Sequence, residues 1–163
     1  MALPTPVSLA RLFAQLIGRE VTFVQTKIAL EAKIPQVYGV YKILPDEILI
    51  LVKADLPLLG SFAGALMGLP DSVVKGYLSA TPMNEPLRDA IYEVLNVASS
   101  AIAPERRIAL SKVVMDKASL DEAASSTLAK PNQSYYFNVS VNGYQGGKFS
   151  IFAQSAAAPN ATT

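Results

Sequence analysis

The stretch Asp89-Ala-Ile-Tyr-Glu93-Val-Leu-Asn96 places two carboxylates and an amide at i, i+4 and i+7. On a helix turning about 100° per residue these side chains fall at roughly 0°, 40° and −20°, and Ser100 follows near 20°. They make one polar stripe. Leu87, Ala90, Ile91, Val94, Leu95, Ala98, Ala101 and Ile102 fill the opposite arc, which predicts an amphipathic helix seated on a core. The amide of Asn96 can accept a hydrogen bond from a water and also donate one to it, so it can orient that water for reaction. Glu93, one turn earlier, can form a charge-assisted pair with a cation on a partner. The same spacing also describes the ordinary solvent face of any amphipathic helix, and the pattern alone leaves both readings open.

Composition narrows the chemistry further. The 163 residues contain no His, no Cys and no Trp. Serine–histidine triads, histidine-ligated zinc, thiolate nucleophiles and disulfides are therefore excluded, and any reaction must use carboxylates, amides, hydroxyls or Lys. A net charge of +1, with Arg106-Arg107 as the only adjacent basic pair, argues against a nucleic-acid surface. Charged residues make up 17% of the chain, below the roughly 25% typical of soluble domains. So sparse a charged surface predicts self-association.

Asp116, Asp121 and Glu122 lack the alternating ligands and turn glycine of a calcium loop, and we expect a solvated turn there. Met1-Ala-Leu-Pro-Thr-Pro-Val has no basic segment preceding an apolar run, so no signal peptide is expected. The apolar region 48–69 is broken by Lys53, Asp55 and Pro57, short of the roughly 20 residues a membrane span needs. A cytoplasmic protein without membrane insertion is the expectation.

The elements that must position the stripe can be read from periodicity. Leu9, Leu12, Phe13, Leu16 and Ile17 predict a first helix, with Ser8 as its cap and Gly18 as its stop, and Arg11 and Gln15 interrupt its run of apolar residues. Residues 21–30, 36–43 and 47–53 predict three strands in a meander, the last an apolar run covered on both faces. Leu58, Leu59, Phe62, Ala63, Leu66 and Met67 predict a second helix. Gly60, Gly64 and Gly68 lie on another of its faces, where a neighbouring element can approach closely. Asn84 caps the stripe helix and Pro104 ends it.

Residues 108–115, 135–141 and 148–153 predict further strands. The last two are joined through Asn142-Gly143 and Gly146-Gly147, which supply the positive φ of a hairpin turn. Residues 119–128 predict a short polar helix or loop between them. Tyr135, Tyr136 and Tyr144 suit strand packing or dimer contacts. No internal repeat is visible. The expected architecture is an α+β, two-layer domain over residues 1–154, an antiparallel meander sheet packed with two to three helices, followed by a disordered tail at 155–163.

The run Asn84-Glu-Pro-Leu-Arg-Asp89-Ala-Ile-Tyr-Glu93-Val-Leu-Asn96 resembles the Asp/Ser-x-x-x-Glu-x-x-Asn signature of the CheC/CheX/FliY family of chemotaxis phosphatases. Upstream, Leu58-Leu-Gly-Ser-Phe-Ala-Gly-Ala-Leu-Met-Gly68 is similar to that family's short helix ending in Met-Gly, which a polar linker separates from the signature helix. With one signature rather than two, the pattern is CheX-like.

The resemblance implies a phosphatase of a phosphorylated CheY-type response regulator. It assigns Asn96 to orienting the attacking water and Glu93 to docking on a lysine of the regulator. Asp89 and Ser100 would face the partner, Ser100 standing where the family often has Gly. It implies no cofactor of the chain's own, magnesium in the regulator's pocket, and a homodimer. Two other readings stand beside it. One is a non-catalytic CheC-like interaction module binding a response regulator or flagellar-switch component. The other is a carrier of an apolar ligand, suggested by the low charge and the glycine-bearing helix.

Overall fold

A computed structural model describes residues 4–27 and 33–154. In chain order the elements are α1 (Pro6–Ile17), β1 (Val21–Thr26), β2 (Gln36–Leu44), β3 (Ile48–Asp55), α2 (Leu56–Leu66), α3 (Asp71–Ser79) and α4 (Glu85–Ile102). They continue with β4 (Arg107–Val114), α5 (Glu122–Ala129), β5 (Gln133–Val141) and β6 (Tyr144–Ala153). The end of the strand expected over 21–30 and the tail expected at 155–163 lie outside the described residues.

The six strands form one antiparallel sheet in the order β1-β5-β6-β3-β2-β4. The α+β reading holds, and the strand order is a finding beyond the sequence. β2 and β3 pair as consecutive strands, whereas β1 leaves its expected neighbour β2 and joins the far edge beside β5. The order repeats when read from either edge. Each half of the chain contains a helix and then three strands, α1-β1-β2-β3 and α4-β4-β5-β6, with α5 inserted between β4 and β5 and with α2 and α3 linking the halves. The two third strands meet at the centre, and each first strand lies beside the second strand of the other half. The repeat that the sequence hides is thus present in the topology, with the halves exchanging their edge strands.

Both faces of the sheet carry apolar residues, since β3 alternates between two cores. Ile50, Val52 and Ala54 join the larger core with α1, α2 and α4. Leu49 and Leu51 join a smaller one, with Leu120 and Ala124 of the α5 region. The continuous apolar run of β3 therefore has the expected cause, a central strand covered on both sides. In the larger core the rings of Phe13 and Phe62 stack at 4.4 Å, and Phe23 and Phe149 pack edge to face at 5.6 Å. Asp116 and Asp121 are local caps, accepting from the backbone N–H of Ala118 and Ala124.

The segment between α2 and α4, expected as a polar linker, contains α3. Its presence explains the glycines of α2. A Cβ on Gly60 would lie 2.6 Å from Leu78 Cδ1, and one on Gly64 would collide with Val74, both side chains belonging to α3. That face of α2 is filled by protein, which removes the reason for an apolar ligand there. In the β5–β6 turn only Gly143 has a positive φ, at 83°. Gly146 and Gly147 instead lie within β6, where a Cβ on Gly147 would meet the Asp55 carboxylate at 2.9 Å. Close packing is their role, and the turn needs only Gly143.

Candidate functional site

Helix α4 starts where the sequence places its cap. The side chain of Asn84 accepts from the backbone N–H of Leu87 at 3.0 Å, and Pro86 occupies the first turn, where its missing N–H costs nothing. Leu87, Ile91, Val94, Leu95, Ala98 and Ile102 are buried and fix the orientation of the helix on the sheet. The polar stripe follows by exclusion. Asp89, Glu93, Asn96 and Ser100 are all exposed on one ridge.

Among the described residues, the side chains of Asp89, Glu93 and Asn96 make no hydrogen bond or ion pair. An amide and a carboxylate one turn apart therefore stand free on a helix whose opposite face is fully packed. Such groups can meet an external partner without first breaking local bonds. Ser100 differs, because its hydroxyl turns back to donate to Val97 O at 3.0 Å. Ser99 does the same toward Asn96 O at 2.7 Å.

The stripe lies between two depressions. Beside Asp89, one is bounded by Arg88, Tyr92, Val113 and Met115, with Tyr92 46% exposed. Beyond Ser100, a cleft of about 700 Å³ separates the last turns of α4 from α1, bordered by Ser8, Arg11, Leu12 and Gln15 on the α1 side. Arg11 and Gln15 were noticed in the sequence only as interruptions of an apolar stripe. No local signal could bring them opposite Ser100, because that depends on how α1 and α4 pack across the sheet. Tyr41, which hydrogen-bonds to α4 from beneath, was missed for the same reason.

The other polar candidates serve structure. Tyr144 donates its hydroxyl to Leu69 O, and its ring lies under the Arg19 guanidinium at 5.1 Å. Tyr136 packs edge to face on Phe152. Among the described residues no cluster of Asp and Glu could hold a metal ion, and no helix is long and apolar enough to cross a membrane.

Comparison with solved structures identifies the fold as that of FliY, FliM and the chemotaxis protein CheX. FliY of Thermotoga maritima superposes with a TM-score of 0.59 at 16% identity, over 91% of this chain and 83% of that one. FliM in a FliG–FliM complex from H. pylori gives 0.57 at 12% identity, over 91% and 86%. The chemotaxis protein CheX from Vibrio vulnificus gives 0.54 at 14% identity, over 91% and 95%. No protein-family model matches the chain, and no curated protein matches it. The chain has the CheC/CheX/FliY-like fold, as its signature stretch led us to expect.

Proposed function

We propose that this protein is a cytoplasmic phosphatase of a phosphorylated CheY-type response regulator. The observation that carries the reading is the pair Glu93 and Asn96, exposed one turn apart on a packed helix and free of partners among the described residues. A phosphoaspartate is a labile acyl phosphate, held with magnesium in the regulator's own pocket, so a phosphatase can act by positioning alone. Asn96 enters that pocket and holds a water in line with the phosphorus, its amide oxygen accepting from the water and its nitrogen donating to it. The water oxygen bonds to phosphorus as the bond to the aspartyl oxygen breaks. The products are the aspartate carboxylate and inorganic phosphate, which with solvent takes up the proton.

Glu93 pairs with a lysine of the regulator and fixes the approach, while Asp89 and Ser100 border the contact. None of these steps asks for a nucleophile or a general base, which suits a chain without His or Cys. Two copies associate as a homodimer through the sheet edges β1 and β4, a point that sedimentation of the pure protein tests.

The test is the decay of magnesium-loaded, phosphorylated regulator with and without this protein. Orientation of the water supplies on the order of 10² to 10³ in rate. We expect Asn96→Ala to remove the acceleration at saturating protein, and Glu93→Ala to act mainly through weaker binding. Absence of any acceleration with each regulator of the same cell would sink the reading.

The second reading, a non-catalytic module that binds a regulator or a flagellar-switch component, is favoured by one observation. Ser100 puts a side chain at the end of the stripe, beside the water-orienting amide. The likeness to FliM, which the H. pylori complex pairs with FliG, accords with such a role. Binding to phosphorylated regulator without faster decay would select it.

A further inference from the structure

Tyr41 lies near the middle of β2, directly beneath α4. Its side chain is fully buried, and its hydroxyl donates to the backbone carbonyl of Leu95 at 2.6 Å. Leu95 immediately precedes Asn96. In a regular helix that carbonyl already accepts from the N–H four residues on, so the tyrosine adds a second bond at a point where the helix needs none. Burial raises the pKa of Tyr41 far above the ordinary tyrosine value, so the hydroxyl keeps its proton and remains a donor.

The remaining contact between α4 and the sheet is apolar. Leu95 lies over Gly39, where a Cβ would come within 3.6 Å of the Leu95 methyl. Leu87, Ile91, Val94 and Ala98 are buried around it. Such packing holds the helix down but is non-directional, and it tolerates small slides along the axis and small rotations about it. A hydrogen bond loses its strength within tenths of an ångström and a few tens of degrees, so it fixes what packing leaves loose. This side-chain hydrogen bond from the sheet to α4 thus falls at the residue before the amide of the site.

We infer that Tyr41 is a positioning residue, whose hydroxyl sets the axial position and rotation of α4 and thereby aims Asn96. The catalytic half of this inference rests on the proposed phosphatase reading. The mechanical half does not. Asn96 can orient a water only from within a few tenths of an ångström of its working position, and a misplacement of about 1 Å can cost about a hundredfold in rate. Loss of the hydroxyl should therefore reduce turnover more than partner affinity.

The test compares the full chain with Tyr41→Phe, which keeps the ring and its packing. Tyr38→Phe serves as a control, a buried tyrosine on the opposite face of the sheet. Two quantities are read, the concentration dependence of regulator decay and the backbone hydrogen exchange of residues 96–100 relative to residues 9–17 of α1. We expect Tyr41→Phe to lower the maximal decay rate about tenfold while the half-saturating concentration stays within about threefold, and to speed exchange in 96–100 about tenfold relative to α1. Tyr38→Phe should do neither.

Unchanged exchange in 96–100 would overturn the inference, because α4 would then be held without the hydroxyl. Faster exchange with an unchanged maximal rate would overturn it equally, since the bond would not aim Asn96. Should the wild type fail to accelerate decay, the phosphatase reading falls. Exchange alone then decides whether Tyr41 fixes the helix that presents the stripe.

Discussion

Helices α1 and α4 open the two halves of the molecule and rest on the same face of the sheet, yet they turn different chemistry to solvent. Leu9, Phe13 and Ile17 of α1 repeat the buried spacing of Leu87, Ile91 and Leu95 of α4. When these ladders are aligned, Asp89 falls opposite Arg11, Glu93 opposite Gln15, and Asn96 opposite Gly18, the residue that ends α1. One half has kept a helix of 18 residues with an acid–amide ridge, and the other a helix of 12 residues without a carboxylate. The aromatic packing is distributed the other way. Phe13 touches the rings of Phe23, Phe62 and Phe149, whereas α4 buries only aliphatic side chains. A repeated architecture can thus hold the core with one copy and present a site with the other, because burial constrains only one face of each helix.

The sharpest way to break that division is Phe13→Ala. Removing a ring from the centre of the cluster is expected to cost about 3 to 5 kcal/mol, while Asn96→Ala should leave stability within about 0.5 kcal/mol. Urea titration of both variants decides it, and equal losses would show that α4's ridge is structural after all. A smaller effect comes from the caps. Thr5, which forms a reciprocal capping box with Ser8, and Asn84 each cost about 1 kcal/mol when changed to Ala. Only Asn84→Ala should also slow regulator decay, because it loosens the first turn of the helix that carries Asp89 and Glu93.

Ser100→Gly gives the smallest change. The substitution costs about 0.5 kcal/mol of helix stability and should improve affinity for the regulator two- to threefold by clearing the end of the stripe. Unaltered affinity would place Ser100 outside the contact.

Much of the α4 half was legible in the sequence. Helical periodicity fixes which residues share a ridge, so Asp89, Glu93, Asn96 and Ser100 could be placed on one side before any packing was known. Asn84 announced the start of the helix because a cap is a local hydrogen bond. The α1 half was less legible at its start. Ser8 was read as the cap, whereas Thr5 takes that place and Pro6 begins the helix, Ser8 being the return partner of the box. The turn also misled, since Gly143, Gly146 and Gly147 all stand near the hairpin and only Gly143 has a positive φ.

Local pattern settles α1, α2, α4, most strands and the acid–amide ridge, because each depends on neighbours within about two turns or on alternation along one strand. Four features come from packing instead: β1 crosses to β5, α3 fills the glycine face of α2, Arg11 stands across a cleft from Ser100, and Tyr41 reaches the carbonyl of Leu95. Three of these join segments far apart in the chain, and such pairings are selected by the burial of the whole sheet's two faces, a quantity that no local window contains. The α2–α3 contact joins neighbouring elements, and it is set by the turn that folds α3 back onto Gly60 and Gly64.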